Sequence, residues 1–318
     1  MKTFCISHRK DVDGLGAGAI VKAATGAKVI LTDYEDLIEN LGKVPDDVDH
    51  LVICDVGTDN ADLEDFVREM KRVLKHGKVT YVDHHFMSAA TKKRLKATGV
   101  NLVHDVRDSA AMLAYKTFKA ELPEGARLIA LCGAVTDYMD SSKMAVDMME
   151  QADRQFVLLE ASMLSYALGA KARDPGFPEL VVDELSQMKH PHEIEGVPEA
   201  AVEQLDEVAK LGAEVLAKGK KLGRLAYMET TQYSTGNVAK LLIGAFGVPV
   251  GVAFKQKQEG WFEVSTRGTS KSKAHLGKVL SSASAKLGGS GGGHRNAAGC
   301  RVPASKIGDL LDLLSKKV

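Results

Sequence analysis

Three short segments in the first half of the chain place carboxylates and imidazoles directly after apolar runs. They are "SHRKDVDG" with His8, Asp11 and Asp13, "CDVG" with Asp55, and "VDHH" with Asp83, His84 and His85. Carboxylates crowded within a few Å raise one another's pKa unless a cation lies among them. Aspartate and histidine ligands without thiolates favour Mn²⁺, Mg²⁺ or a similar ion. Because two such ions clamp the phosphoryl group in many hydrolases, these residues predict a two-metal hydrolytic site.

Each of these residues taken alone has a simpler explanation. Asp55 could be a turn residue or a helix cap, and Asp137 in "GAVTDY" could be an ordinary polar position of a helix. An isolated His84 is more often a hydrogen-bonded histidine than a ligand. The joint occurrence of H-x-x-D-x-D-G, a strand-ending aspartate and D-H-H, each after a strand-like run, favours a metal site.

The elements that would position these residues alternate along the chain. Short β-branched runs at 3–7, 28–34, 50–57, 78–85 and 101–106 predict strands, and the segments 14–24, 61–77 and 89–99 between them predict helices. Strands and helices in alternation predict an α/β fold with a mostly parallel sheet and helices on both faces. In such sheets, ligands bind outside the carboxyl ends of the strands, where the candidate residues fall.

The rest of the chain changes character twice. Residues 108–185 have mainly helical patterns, "KHPHEIEGVPEA" (189–200) resembles a linker, and the last hundred residues return to mixed strands and helices. We therefore predict two domains: a catalytic domain at 1–190, and a linker with a smaller α/β substrate-binding domain at 191–318.

Composition limits the class of protein. The 318 residues are 45% hydrophobic and 26% charged, with 42 basic and 42 acidic side chains, so nucleic-acid contact must come from local patches rather than from a global basic field. The four cysteines are scattered without metal-site spacing, which favours reduced core thiols. No apolar run has the length of a signal peptide or a membrane span, so we expect a cytoplasmic protein without a membrane partner.

A glycine-rich stretch near the end raises a second question. "LGGSGGGHRNAAGC" (287–300) could be a flexible linker. However, a helical pattern runs directly into it and apolar residues follow it without a polar spacer. Glycines at such a junction let backbone N–H groups approach a phosphate closely, so the stretch also fits an anion-binding loop.

The motifs "SHRKDVDG", "ICDVG", "VDHH" and "AVTDY" resemble, in this order, the four motifs of the DHH phosphoesterase superfamily. The resemblance implies that His8, Asp11 and Asp55 hold one Mn²⁺, and that Asp13, Asp55, His84 and Asp137 hold the other, with Mg²⁺ as the alternative metal. It also implies that Asp83 orients an imidazole, and that His85 faces the substrate phosphate or assists protonation of the leaving group. The first motif departs from the family, because it has H-x-x-D where many members have H-x-x-x-D.

The C-terminal stretch is similar to the G-G-G-H motif of the domain that accompanies many DHH catalytic domains, and "VSTRGTS" (264–270) resembles another of its elements. This resemblance implies nucleotide binding by Arg267, by Gly291, Gly292 and Gly293, and by His294. Domains of this type accompany hydrolysis of oligonucleotides, phosphoadenosine phosphate and cyclic dinucleotides.

The prediction is therefore a metal-dependent exonuclease that hydrolyses short single-stranded RNA or DNA to nucleoside monophosphates, with Asp55 and His85 as catalytic residues. Hydrolysis of phosphoadenosine phosphate or of a cyclic dinucleotide is the alternative within the family. Two other hypotheses are a phosphatase that uses Asp11 of "DVDG" as a covalent nucleophile, and a noncatalytic RNA-binding protein. The sequence leaves polarity, substrate length and oligomeric state open, including a homodimer.

Overall fold

The structure, a computed structural model, describes residues 1–57, 63–293 and 295–318. It divides into two compact units, Met1–Leu205 and Asp206–Val318. The domain boundary predicted at 190/191 thus falls before the division between the units, which lies at 205/206. It stays a prediction.

The first unit is built on a five-stranded sheet in the order β2-β1-β3-β4-β5. The strands are β1 (Thr3–His8), β2 (Lys28–Thr32), β3 (His50–Cys54), β4 (Lys78–Asp83) and β5 (Asn101–His104). Every neighbouring pair is parallel. The predicted parallel sheet is confirmed, although β2 to β5 end two or three residues before the predicted limits and β1 ends one residue after its limit.

Helices surround this sheet and continue along the chain after it. They are α1 (Val12–Thr25), α2 (Leu37–Gly42), α3 (Leu63–Val73), α4 (Ala89–Ala97), α5 (Ala110–Phe118), α6 (Ala126–Thr136), α7 (Lys143–Met149), α8 (Arg154–Ala170), α9 (Phe177–Ser186) and α10 (Val197–Lys218). Local sequence sets several limits: Asp11 caps the first turn of α1, and Gly26 ends that helix with a φ of 67°. Within the described residues, every helix is too short or too polar to cross a membrane.

Two apolar clusters lie in the first unit. One joins Cys5, Val52 and Val82 to helices α1, α5, α6, α8 and α9. The other joins Ile6 and Ile53 to helices α2, α3 and α4. Because successive residues of a strand point to opposite faces, Cys5 and Ile6 enter different clusters. The predicted arrangement of helices on both faces of the sheet is confirmed.

The second unit has a six-stranded mixed sheet in the order β10-β11-β9-β8-β7-β6. Its strands are β6 (Lys220–Leu222), β7 (Leu225–Glu229), β8 (Val250–Gln258), β9 (Trp261–Gly268), β10 (Ser290–Gly293) and β11 (Ala297–Pro303). Helices α11 (Thr235–Phe246), α12 (Leu276–Lys286) and α13 (Ile307–Ser315) belong to the same unit. Strands β7 and β8 pair in parallel, while the other described neighbours are antiparallel.

Candidate metal centre

The first motif is held at the carboxyl end of β1. His8 is the last residue of that strand and is buried, and Asp11 begins α1 by accepting the Gly14 N–H at 2.9 Å. A side chain at Gly14 would come within 2.4 Å of the His8 carbonyl oxygen, so only glycine lets the helix start this close to the strand. His8 Nδ1 lies 2.9 Å from Asp11 Oδ2 and 3.7 Å from Asp55 Oδ2.

Asp13 lies in the first turn of α1 and is almost completely buried. Its two carboxylate oxygens accept the backbone N–H groups of Ala110 (2.7 Å) and Ala111 (2.9 Å), which are the first residues of α5. These bonds satisfy donors that a helix start would otherwise leave without partners. They also fix the carboxylate in one orientation.

The imidazole of His84 lies among three carboxylates, those of Asp13, Asp55 and Asp137, which belong to different strand and helix ends. His84 Nε2 is 3.2 Å from Asp55 Oδ1, 3.5 Å from Asp137 Oδ2 and 3.7 Å from Asp13 Oδ2. Asp55 directly follows β3 and has a φ of 56°, while Asp137 is the C-cap of α6. Strand pairing therefore brings residues that are far apart in sequence within a few Å.

His85 is held beside this cluster by two side chains. Its Nδ1 lies 2.9 Å from Asp83 Oδ1, and its Nε2 lies 3.1 Å from the Tyr34 hydroxyl. Asp83 is fully buried at the end of β4, and His104 Nε2 lies 2.7 Å from the His85 carbonyl oxygen. The backbone and the imidazole of His85 are thus both fixed in place.

Electrostatics within the cluster favour a bound cation. Burial and the neighbouring Asp55 charge raise the pKa of Asp13 to about 8. Burial by itself would lower the pKa of His8 and of His84, but the surrounding carboxylates raise these values to about 10 and about 9. Protons therefore stabilise the crowded carboxylates in the metal-free chain, at positions that a divalent ion could take over.

Unpaired polar atoms point to the same conclusion. Among the described residues, both ring nitrogens of His8 and Oδ1 of Asp55 are buried without a well-directed hydrogen bond. Three overlapping groups each place one ligand atom per residue within 4.8 Å of the others: His8, Asp11 and Asp55; Asp13, His84 and Asp137; and Asp55, His84 and His85. Nitrogen and oxygen donors of this kind suit Mn²⁺ or Mg²⁺. The residues present therefore fit a pair of divalent ions.

Sequence reasoning missed two residues at the same edge of the sheet. Asp33 Oδ1 lies 3.8 Å from His8 Nε2 and 3.0 Å from Lys10 Nζ, and the Tyr34 ring lies 5.2 Å from the His8 ring. A signal was present, because in "KVILTDY" (28–34) an acid, Asp33, also follows a strand-like apolar run. The run contains β2, whose neighbour in the sheet is β1.

A wide cavity of about 600 Å³ opens beside Asp11 in the first unit. Its walls carry four cationic side chains and three acidic ones: Arg9, Lys10, Lys171, Arg173, Asp11, Asp33 and Asp174. Asp11 and Asp33 also lie in or beside the candidate metal cluster. A metal ion in that cluster would neutralise Asp11 and Asp33, so the cavity would carry a net positive charge, which suits a phosphate-bearing ligand.

In the second unit, Arg267 lies on β9 beside the first turn of α11. Its Nη2 lies 2.8 Å from the position that a Cβ at Gly236 would take, and its Nη1 donates to the Thr266 carbonyl at 3.0 Å. Burial, and then the Arg267 charge, lower the pKa of Lys240 in the same helix. A cation beside a helix N-terminus suits an anion.

The glycine stretch forms an edge strand instead of an irregular loop. Gly291, Gly292 and Gly293 pair with residues of β11 as part of β10, and Gly293 has a φ of 133°. A Cβ at Gly291 would lie 2.3 Å from the Cys300 Cβ, so close strand approach by itself explains one of these glycines. His294 lies outside the described residues, and its assigned role stays a prediction.

Comparison with known proteins agrees with this architecture. Residues 223–318 match the DHHA1 domain family. The pGpG-specific phosphodiesterase PggH from Vibrio cholerae shares the fold with a TM-score of 0.65 and 15% identity, over 98% of each chain. A DHH-domain structure described as a member of a family of ribosomal proteins has a TM-score of 0.69 and 16% identity, over 99% of this chain and 86% of the other.

A third solved structure is RecJ from Thermus thermophilus in complex with Mn²⁺. It has a TM-score of 0.61 and 16% identity, and the match covers 99% of this chain but 51% of RecJ, so the chain spans about half of that protein. No curated protein sequence matches the chain. The solved structures show a shared fold over nearly the whole chain, and the DHHA1 match supports the resemblance that the sequence showed in residues 264–300.

Proposed function

We propose that this chain, a DHH-family phosphoesterase by its fold and by its C-terminal DHHA1 domain, hydrolyses short single-stranded oligonucleotides to nucleoside monophosphates with the help of two divalent ions. The observation that carries the proposal is the convergence of His8, Asp11, Asp13, Asp55, His84 and Asp137 at one edge of the sheet, with ligand atoms in overlapping groups within 4.8 Å. Such a site is suited to a phosphodiester bond rather than to an uncharged substrate.

Each residue would have a distinct role. His8, Asp11 and Asp55 would hold one ion, and Asp13, Asp55, His84 and Asp137 the other. The ions supply Lewis acidity and an activated water when bound. The buried Asp55 would serve both, since its oxygens lie near His8 on one side and near His84 on the other.

His85 would act on the leaving group. Asp83 lies against Nδ1, so Nε2 is the nitrogen left to exchange a proton with substrate, at the place where the Tyr34 hydroxyl now lies. Burial would lower the pKa of His85, but hydrogen bonding to Asp83 and the charge of Asp83 raise it. A protonated imidazole there can donate to the departing oxygen.

Surfaces within each unit suit parts of a single strand with a terminal phosphate. Phe86, next to His85, has 89% of its surface exposed, and an aromatic ring in that position can stack on a base whatever its identity. The cavity lined by Arg9, Lys171 and Arg173 can receive a phosphate. In the second unit, Arg267 beside α11 offers a further anion-binding position.

The names of the solved neighbours are compatible with this substrate class. PggH is named for pGpG, which is itself a linear dinucleotide, and RecJ is described as an exonuclease. Their likeness to this chain supports the fold and the general chemistry. The choice among a dinucleotide, a longer oligonucleotide and phosphoadenosine phosphate is therefore left to the substrate assay.

The test is product analysis on end-labelled RNA and DNA, from dinucleotides including pGpG to longer strands, with Mn²⁺ or with chelator. We expect Mn²⁺-dependent release of monophosphates, fastest on the short substrates. Asp55→Asn should lower the rate at least about 10²-fold, because it removes a charge that both ions need. Asp147→Asn, on exposed α7, is the matched control. Di- to pentanucleotides that stay intact in the presence of Mn²⁺ would exclude the proposal, and hydrolysis of phosphoadenosine phosphate or cyclic dinucleotides by the same sample would then favour the alternative substrates.

A further inference from the structure

A second cluster of potential metal ligands lies in the first unit and shares no residue with the first. It consists of Glu160 in α8 and of His190 and His192, which flank Pro191 at the start of a 3₁₀ turn (Pro191–Glu193). One ligand atom from each of the three residues lies within 4.8 Å of the others. The cluster is formed by packing, since Glu160 and His192 are 32 residues apart.

The centre of this cluster is a buried carboxylate. Glu160 has 2% of its surface exposed, its Oε2 accepts the His192 backbone N–H at 3.0 Å, and its Oε1 contacts His192 Nδ1. Burying a carboxylate is costly unless a cation or several hydrogen bonds compensate it. The His192 side chain, in contrast, is 45% exposed, so one side of the cluster is open to water.

An aromatic ring limits how the two imidazoles can move. Phe156 lies one helical turn before Glu160 on α8, with its ring centre 5.4 Å from that of His190 and 6.1 Å from that of His192. Both contacts are edge-to-face, and the two imidazole centres are 5.6 Å apart. The rings are thus gathered on the same side of α8 as the buried carboxylate.

We propose that Glu160, His190 and His192 bind one zinc-class divalent transition-metal ion, with a fourth position open to solvent. Two imidazoles and one carboxylate form a known zinc donor set. The six proposed ligands of the first cluster are four carboxylates and two imidazoles, so that cluster is richer in the oxygen donors that Mg²⁺ and Mn²⁺ take. Zinc bonds of about 2.0–2.2 Å need ligand atoms separated by about 3.3–3.6 Å, which side-chain movements of about 1 Å would achieve here. The ion would join the 3₁₀ turn to α8.

The competing explanation is a Glu160–His192 ion pair without any metal. It accounts for the contact between those two side chains, and the backbone N–H of His190 caps the 3₁₀ turn by donating to Glu193 Oε2 at 2.8 Å. It gives no ligand role to the His190 ring, which Phe156 holds beside His192. The two explanations differ in zinc stoichiometry, which can be measured without reference to catalysis.

The experiment uses the full chain without a histidine tag, stripped with chelator, and a background of Asp13→Asn with Asp55→Asn to disable the first cluster. Zinc titration calorimetry and atomic emission should show one equivalent of Zn²⁺ per chain in this background. Adding His192→Ala should remove that equivalent, or weaken binding at least about tenfold. Adding His76→Ala, an exposed histidine of the same unit, should leave it unchanged.

Two further measurements guard against a folding artefact. Glu160→Gln keeps the shape of the side chain and its acceptor for the His192 N–H, and it should still lose the zinc equivalent. Co²⁺ in place of Zn²⁺ should give the visible absorption of a four-coordinate site, absent in the His192→Ala chain. Unchanged zinc affinity after His192→Ala, or no zinc equivalent in the starting background, would leave only the ion pair. Because catalysis is not measured, failure of this site leaves the proposed function untouched.

Discussion

Replacing Gly133 by alanine should displace the Asp13 carboxylate of the candidate metal centre, because the new methyl group would collide with it. Gly133 lies in α6, and a Cβ there would fall 2.5 Å from Asp13 Oδ1 and 2.7 Å from the Ala111 Cβ. Neither neighbour can move away easily: Asp13 is fixed by two backbone N–H groups, and Ala111 lies in the first turn of α5. The added methyl group must therefore displace either the helix or the carboxylate.

The magnitude follows from two opposing effects. Overpacking a core of this kind costs about 1–3 kcal/mol. Replacing a glycine inside a helix by alanine gains about 0.5–1 kcal/mol. The net expectation for Gly133→Ala is a loss of up to about 2.5 kcal/mol in the free energy of unfolding of the first unit, and weaker Mn²⁺ binding because Asp13 is displaced.

The assay is urea unfolding followed by far-ultraviolet circular dichroism, with Mn²⁺ titration calorimetry on the same samples. Gly169→Ala in α8 is the matched control, because a Cβ there would make only ordinary contacts, the nearest at 3.6 Å. That variant should be neutral or slightly more stable and should keep its Mn²⁺ affinity. Equal stability changes in the two variants, or unaltered Mn²⁺ affinity in Gly133→Ala, would refute the reasoning.

Three further outcomes are expected. Asp83→Asn should lower the pKa of His85 and reduce kcat about 10- to 100-fold with little change in KM, and an unaltered pH–rate profile would contradict the role of Asp83. Phe86→Ala should raise KM for a dinucleotide about 5- to 150-fold, as expected for the loss of one stacked base, while an exposed-site control, Leu159→Ala, should not. The pKa values of His8 and His84 are raised to about 10 and about 9 in the metal-free fold. Protonation of these two imidazoles therefore contributes fully to folding stability below about pH 6.5, and this contribution is lost as the pH rises through the raised values. The Tm measured in chelator should fall between about pH 7 and about pH 10. Mn²⁺ affinity should rise over the same interval with release of protons, and pH-independent binding would argue against these two ligands.

The sequence allowed the candidate metal ligands to be predicted because each of them lies at or next to a strand or helix end. A short apolar run followed by Asp55 or by Asp83 and His84 can be recognised locally, and parallel pairing then places all such ends at one edge. The same logic applied to β2 would have included Asp33 and Tyr34. The glycine run was harder to interpret. Glycine is favoured in an anion-binding loop because it allows unusual backbone angles, and in a close strand pair because it has no side chain to collide with the neighbouring strand.

The sequence by itself determined the α/β alternation, the parallel sheet and the order of the motifs, because hydrophobic periodicity and chain order are local properties. Tertiary structure alone decided which atoms face one another: that Asp13 caps α5, that Gly133 leaves room for its carboxylate, and that Glu160 meets His190 and His192. These contacts join residues that are distant in sequence, and they depend on how helices pack. A short sequence segment does not determine packing distances of a few Å between distant parts of the chain.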